Sequence, residues 1–301
     1  MATKKLVSVV TANSNSGSGC VADLLGKFRG SHIVRAVFRT DAKAEPFRAA
    51  HGTADDVEVL TGVDASKPET LPPAFTGAAI AVIVTPHDPA AGMKDDSFLV
   101  SNLFDAAVGA GVGHIIHVGS WTVNHAAALP TLAARFAPSE ARLRDLADAG
   151  TLTYTVLRGG YFMNNFLAAV APAVKASSKF SSPVVHVPAV DPRDIGRVAA
   201  AVIAGGVEAH ANKTYEISGP EMLSSKDIAA KLTALLGRPV EHEEVPVEAA
   251  IAPLPPFLKE LVTHLAALGP GAVPQSTTVA DVAGSPNTLD AFFLEHKAAF
   301  E

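Results

Sequence analysis

The stretch that decides the fold is Val10-Thr11-Ala12-Asn13-Ser14-Asn15-Ser16-Gly17-Ser18-Gly19. An apolar run, Leu6–Thr11, leads into it. The stretch Gly19–Phe28, with Val21, Leu24, Leu25 and Phe28 on one helical face, leads out of it. Strand, turn of small residues, then helix is how a dinucleotide-binding unit opens. The chain must turn sharply, its amides must come close to a pyrophosphate, and the helix must pack near the strand. The helix N-terminus then offers free N–H groups and positive potential to phosphate. Most of the expected glycines are replaced here. Ala12 and Asn15 stand near two of the usual positions, while Gly17 and Gly19 remain. Asn13 and Asn15 tolerate a left-handed backbone and are expected to make the turn. Asn15 and Ser16 are expected to face the pyrophosphate, and bulk at Gly17 to block its approach. Thr11, Ala12, Asn13, Asn15, Ser16, Gly17, Ser18 and Gly19 are therefore candidate cofactor-binding residues. A plain strand-to-helix turn without ligand would use the same residue types.

Outward from this turn, apolar runs alternate with helix-like stretches. Strands are expected at Ile33–Arg39, Val57–Thr61, Ala78–Thr85, His114–Gly119 and Thr153–Leu157. Helices are expected at Asp96–Gly109 and at Ser139–Ala149, the latter with Ser139 as N-cap. Continuous apolar strands alternating with helices predict an α/β fold: a doubly wound parallel-sheet Rossmann domain covered on both faces. The second half is less regular. It reads as strands at Val184–Val187, Lys213–Ile217 and Val240–Glu244, with a helix after Asp191 and another at Ser224–Leu236. Pro246–Leu268 is expected to be helical except at Pro253–Pro256, and Leu289–Phe300 forms a final helix. Residues 1–158 and 184–206 are assigned to the Rossmann domain. Residues 159–183 and 207–301 are assigned to a smaller C-terminal α+β lobe.

Arg39 closes the second strand, about 20 residues beyond the loop. An acid there suits the ribose hydroxyls of NAD, whereas an arginine suits the 2′-phosphate of NADP. A surface arginine at a strand end is the alternative. Composition narrows the function classes. The chain has 301 residues, with 24 Lys+Arg against 30 Asp+Glu and no long basic run, so direct nucleic-acid binding is not expected. The single cysteine, Cys20, cannot form an internal disulfide, which fits a reducing compartment. No run of about 18 apolar residues exists, and Leu6–Val10 is too short for a signal-peptide core, so a membrane association is not expected. The expected location is cytoplasmic, or nuclear for a regulatory role.

Several motifs in order carry a family resemblance. They are Val37-Phe38-Arg39-Thr40, Val82-Ile83-Val84-Thr85-Pro86, Asp105-Ala106-Ala107-Val108-Gly109-Ala110-Gly111-Val112 and Val118-Gly119-Ser120. Tyr154 through Asn165, Asp194-Ile195-Gly196 and Tyr215-Glu216-Ile217-Ser218-Gly219-Pro220 complete the set. On these the chain resembles the NmrA-like family of atypical short-chain dehydrogenases/reductases over nearly its whole length. The resemblance implies a Rossmann domain, a smaller C-terminal lobe and NADP(H). It places Asp64, Thr85, Pro86, Gly119, Ser120, Gly160, Tyr161 and Phe162 beside Arg39 and the loop as cofactor contacts. It implies either a reductase of quinones and dyes or a cofactor sensor that regulates a protein partner.

The wider superfamily pairs a Tyr with a Lys four residues on. Here Tyr154, Tyr161 and Tyr215 are followed at that spacing by Arg158, Asn165 and Gly219. Alcohol–ketone chemistry by that dyad is therefore not expected. Quinone reduction asks more for positioning than for acid catalysis. No zinc-protease motif or nucleophile elbow occurs. His114 and His117 are three apart in a strand, so they face opposite sides and cannot chelate one metal; no metal site is assigned. Ser120 and Tyr161 are the candidate catalytic residues, and Trp121, Tyr161 and Asn165 the candidate acceptor pocket. Ser120 also reads as a cap, Trp121 as packing, and Tyr161 with Phe162 as helix-face core. Gly159 and Gly160 are expected to let the backbone approach the nicotinamide ring. The reading is an NADPH-binding oxidoreductase-like protein acting on a small quinone or carbonyl acceptor. A non-catalytic NADP(H) sensor bound to a regulatory protein is the alternative.

Overall fold

The computed structural model describes residues 4–52, 54–86 and 97–301. Its first half runs β1 (Lys5–Val10), α1 (Asn15–Leu25), β2 (His32–Val37), α2 (Asp41–His51), β3 (Val57–Leu60), α3 (Pro72–Phe75) and β4 (Ala78–Val84). It continues with α4 (Ser97–Gly109), β5 (His114–Ser120), α5 (Pro130–Asp148) and β6 (Thr153–Gly159). Then follow α6 (Asn164–Ala169), α7 (Ala171–Ser177), β7 (Lys179–Ser182), β8 (His186–Val187), α8 (Pro192–Gly205), β9 (Lys213–Ile217) and β10 (Leu223–Ser224). The last elements are α9 (Ser225–Leu236), β11 (Glu241–Glu244), α10 (Val247–Ile251), α11 (Pro256–Leu268) and α12 (Leu289–Glu295).

Seven parallel strands form the central sheet in the order β3-β2-β1-β4-β5-β6-β9. The order reverses at β1 and β4, which leaves a crevice beyond their carboxyl ends, the place where this architecture binds ligands. Both faces are covered, as the unbroken apolar strands require. Cys20 and Leu24 of α1 and Val198 and Val202 of α8 pack on Val9 and Val82. Leu103 and Phe104 of α4 and Leu143 of α5 pack on Ile83, Ile115 and Val156 from the other side. A third core, around Trp121, Phe166, Phe180, Leu232 and Phe293, belongs to the C-terminal half. Strand β9 falls in the sequence-assigned lobe, yet it pairs with β6 and extends the sheet.

One helix of the first half starts well before its expected position, and another was not expected at all. Helix α5 begins at Pro130, nine residues before Ser139, and carries Pro138 in its interior. Proline fits the first turn of a helix, where its missing N–H has no partner to lose, so Pro130 opens the helix instead of breaking it. Ser139 is no cap. It is buried mid-helix and meets His117 Nε2 at 2.9 Å. The helix α2, with Thr40 as N-cap, has no apolar stripe in sequence and holds Pro46 mid-way; only tertiary structure reveals it. The expected helix Asp96–Gly109 is present from Ser97, and Asp96 lies outside the described residues. His114 turns to Thr153 and Thr155, while His117 turns to Ser139 and the Ile83 carbonyl. Burial holds both imidazoles neutral, with pKa values pushed down to about 4.

Candidate functional site

Helix α1 starts four residues earlier than the sequence pattern suggests. Ser14 is its N-cap, and the Ser14 Oγ accepts from Gly17 N at 3.0 Å. Asn15 through Gly19 are thus the first turns of the helix and not a loop. The backbone reversal happens at Thr11, which takes φ 62, while Ser14 N donates to Thr11 O at 2.9 Å. This corrects the expectation that Asn13 and Asn15 make the left-handed turn. The role of Gly17 is corrected too. A Cβ there would lie 2.4 Å from Thr11 O and 2.9 Å from Ser14 Oγ, so bulk would break the turn itself before it met any phosphate. Gly19 faces away from the crevice, against the Arg193 carbonyl of α8. With Gly17 N taken by the cap, the Asn15 and Ser16 amides are the first-turn donors left to an anion.

A cleft of about 110 Å³ opens beside this turn. Thr11 and Asn13 line it from the turn after β1, Arg39 from two residues past β2, Lys43 from α2, Asp64 from the segment after β3 and Pro86 from two residues past β4. Five of these were foreseen. Lys43 was not, because it sits on the helix without an apolar pattern; its one sequence signal is Thr40 three residues earlier, a residue type that caps helices. Arg39 Nη2 reaches Asp64 Oδ2 at 3.1 Å, and the Arg39 side chain stays half exposed. Partial burial works to raise the Asp64 carboxyl, but Ser66 donates to it from both N and Oγ, and Arg39 adds its charge. The carboxyl ends below its ordinary value. The cleft thus carries two cations and one fixed carboxylate at the end of β2. Thr85 lies at the same edge but outside the cleft, with its Oγ1 donating to Val118 O at 3.0 Å. Pro86 O accepts from Arg135 Nη2 of α5 at 2.9 Å. Ala12 is buried below, its amide bonded to Val37 O at 3.1 Å.

Along the edge, β5 and β6 end side by side, with Ser120 in register with Gly159 and Gly119 with Arg158. Ser120 caps the 3-10 turn Trp121–His125, and Thr122 bonds its Oγ from both N and Oγ1. Trp121 is placed in the C-terminal core, stacked on His264 with ring centroids 5.9 Å apart. Gly119 leaves room for Glu140: a Cβ would meet Glu140 Oε1 at 3.2 Å. Gly159 and Gly160 do not open the backbone to a ring. Their Cβ sides are filled by Ile195 and Phe162, each at 2.8 Å, and by Ile217 O at 3.0 Å. Phe162 packs on the sheet core beside Ile195. Tyr161 is half-buried, with its hydroxyl bonded by Asn165; burial pushes the phenol up to about 12, and that bond offsets it only in part. Tyr161 therefore keeps its proton at neutral pH and serves as a hydrogen-bonding group.

Beneath this edge sits a charge network that the sequence did not announce. Arg158 grips the buried Glu140 with two bonds, Nη2 to Oε2 at 2.6 Å and Nε to Oε1 at 3.0 Å. Its Nη1 reaches Glu216 Oε1 at 3.2 Å and Asn124 Oδ1 at 2.5 Å, and Asn124 donates to Glu216 at 2.8 Å. The turn that follows Ser120 is thereby tied to β6, β9 and α5.

A doubly wound sheet with a cationic cleft at its switch point defines the dinucleotide-binding class of α/β proteins. Residues 3–272 match the model of the NmrA-like family, and the chain belongs to that family. It is 30% identical over 291 residues to the NAD(P)H azoreductase of Xenophilus azovorans, covering 90% of this chain and 95% of that one. It is 26% identical over 301 residues to quinone oxidoreductase 2 of Escherichia coli, covering 97% and 98%. The triphenylmethane reductase of Citrobacter sp., solved as its NADP(H) complex, shares the fold with a TM-score of 0.79 at 22% identity, over 97% of this chain and 99% of that one. Among the described residues no helix is long and apolar enough to cross a membrane.

Proposed function

We propose that this chain is an NADPH-dependent oxidoreductase that reduces a small quinone or related carbonyl acceptor. The observation that carries the reading is the pair Arg39 and Lys43 in one cleft with Thr11 and Asn13. Two cations at the end of β2 fit a 2′-phosphate, and the Asn15 and Ser16 amides fit the pyrophosphate. The relatives named above are an NAD(P)H azoreductase and a quinone oxidoreductase, which supports the same reading. NADPH, when bound, supplies a hydride. This chain's residues hold the phosphates at one end of the edge and offer Ser120, Tyr161 and Asn165 at the other. Tyr161 orients an acceptor oxygen by hydrogen bonding, and the proton that completes the product comes from solvent. NADPH oxidation with a panel of quinones tests the proposal. Steady turnover supports it, and cofactor binding without turnover of any acceptor sinks it.

That second outcome is the sensor reading, in which a bound cofactor controls association with a regulatory protein. Two observations favour it: the phenol of Tyr161 is pushed up to about 12 with no lysine among the described residues to lower it, and Ser120 is engaged as a cap.

A further inference from the structure

Helix α11 docks by one face, with Leu265 in the C-terminal core and Leu261 packed against it. Of its thirteen residues only His264 and Leu265 are buried. Two contacts fasten it to the segments that follow β5. The Glu260 carboxylate accepts from Thr131 N at 3.1 Å and from Thr131 Oγ1 at 2.7 Å, at the start of α5. His264 inserts between Trp121, stacked at 5.9 Å, and His125, whose ring centroid is 4.6 Å away. Trp121 also meets His125 edge-on at 5.5 Å. These rings begin one residue after Ser120. A hinge stands at the C-terminal end of α11, whereas prolines stiffen its N-terminal end. Pro253, Pro255 and Pro256 precede or open it. It is followed by Gly269, whose φ of 56 with ψ of −133 only glycine adopts readily.

We propose that α11 is a hinged helix on the acceptor side of the site, latched by the His264–Trp121–His125 stack and released when His264 takes up a proton. The term acceptor side rests on the function proposed above; the latch does not. His264 Nε2 is buried and has no hydrogen-bond partner among the described residues, so an added proton there finds no acceptor among them. The titratable and charged groups around the pair are His125 from the turn, and Lys259 and Glu260 from α11 itself. Glu260 is committed to Thr131, and Lys259 adds positive charge, so among the described residues no neighbouring acid is free to welcome an imidazolium. Burial first, and His125 second, hold His264 below the ordinary histidine value. The sign follows. Docked His264 binds a proton less readily than undocked His264, so docking is fully favoured above about pH 6.5. It weakens as pH falls through that value.

Trp121 is the single tryptophan of the chain, so its emission reports the stack directly. Hydrogen exchange of the α11 amides, corrected for the intrinsic rate, reports release. Between pH 7.5 and 5.5 the wild-type α11 amides are expected to exchange roughly tenfold faster, the scale of one linked proton over one pH unit, with Trp121 emission changing in step. Amides of α4 should not follow. His264→Phe keeps a stacking ring without a proton site and should abolish both changes, and His125→Phe should reduce them. Three results would overturn the latch. They are constant α11 exchange while the emission changes, the same acceleration in His264→Phe, or an acceleration shared by α4. None of these readouts needs an acceptor or turnover, so failure to find an activity leaves the latch test intact.

Discussion

Gly19 of α1 and Gly196 of α8 face each other where the two helices cross, with backbone touching backbone. A Cβ on Gly196 would lie 1.9 Å from Ser16 O and 2.4 Å from Cys20 N, and one on Gly19 would lie 2.3 Å from Arg193 O. Close approach at this crossing sets how α1, and therefore its first turn, sits over β1.

Gly196→Ala should therefore destabilise the protein by about 3 kcal/mol, the upper end of overpacking costs, because the clash is with backbone that cannot rotate away. Urea unfolding measures it. A change below about 0.5 kcal/mol would show that the helices separate freely.

Cofactor choice follows from Arg39 and Lys43. A charge-assisted contact contributes roughly 1.5–3 kcal/mol, so NADPH should bind about 10- to 100-fold more tightly than NADH. Arg39→Ala should remove most of that preference and Lys43→Ala part of it, with NADH affinity little changed. Titration of both cofactors against the three proteins decides it; equal wild-type affinities would refute the assignment.

Tyr161→Phe removes one hydroxyl bonded by Asn165 and offered to an acceptor. About a tenfold loss of kcat/KM is expected, with NADPH affinity intact. Because the phenol is pushed up to about 12, the wild-type rate should show no basic limb from Tyr161 below about pH 10. A rate that falls with an apparent pKa near 8 and loses that limb in Tyr161→Phe would contradict this.

Glu140→Gln leaves Arg158 without its buried countercharge. Breaking a buried pair on one side costs about 3–5 kcal/mol. Denaturant unfolding should show a loss of that order, and Arg158→Met with Glu140→Gln together should recover part of it. Additive single-variant losses would mean that the pair is not coupled.

The sequence by itself determined the frame. Runs such as Val7–Val10, Ala78–Val84 and His114–Val118 are mostly apolar, with only Ser8, His114 and His117 polar, because both faces of their sheet are buried, so a parallel, doubly wound architecture was legible from them. The caps Asp191 and Ser224 were legible too, since a capping side chain and its target lie within three residues. So was Arg39, because its place depends only on ending β2. What only the tertiary structure decided depends on residues far apart in the chain. Lys43 joins the cleft through a polar helix that no periodicity marks. Gly17 and Gly19 read as a phosphate loop, and Gly159 and Gly160 as room for a nicotinamide ring, but the space beside them answers to Thr11, Arg193, Ile195 and Ile217. Glu140 with Arg158, and Trp121 with His264, meet only once α5 and α11 have docked. Local patterns record local hydrogen bonds and the side of a strand or helix that is buried; they carry no record of which distant atom will fill the space beside it.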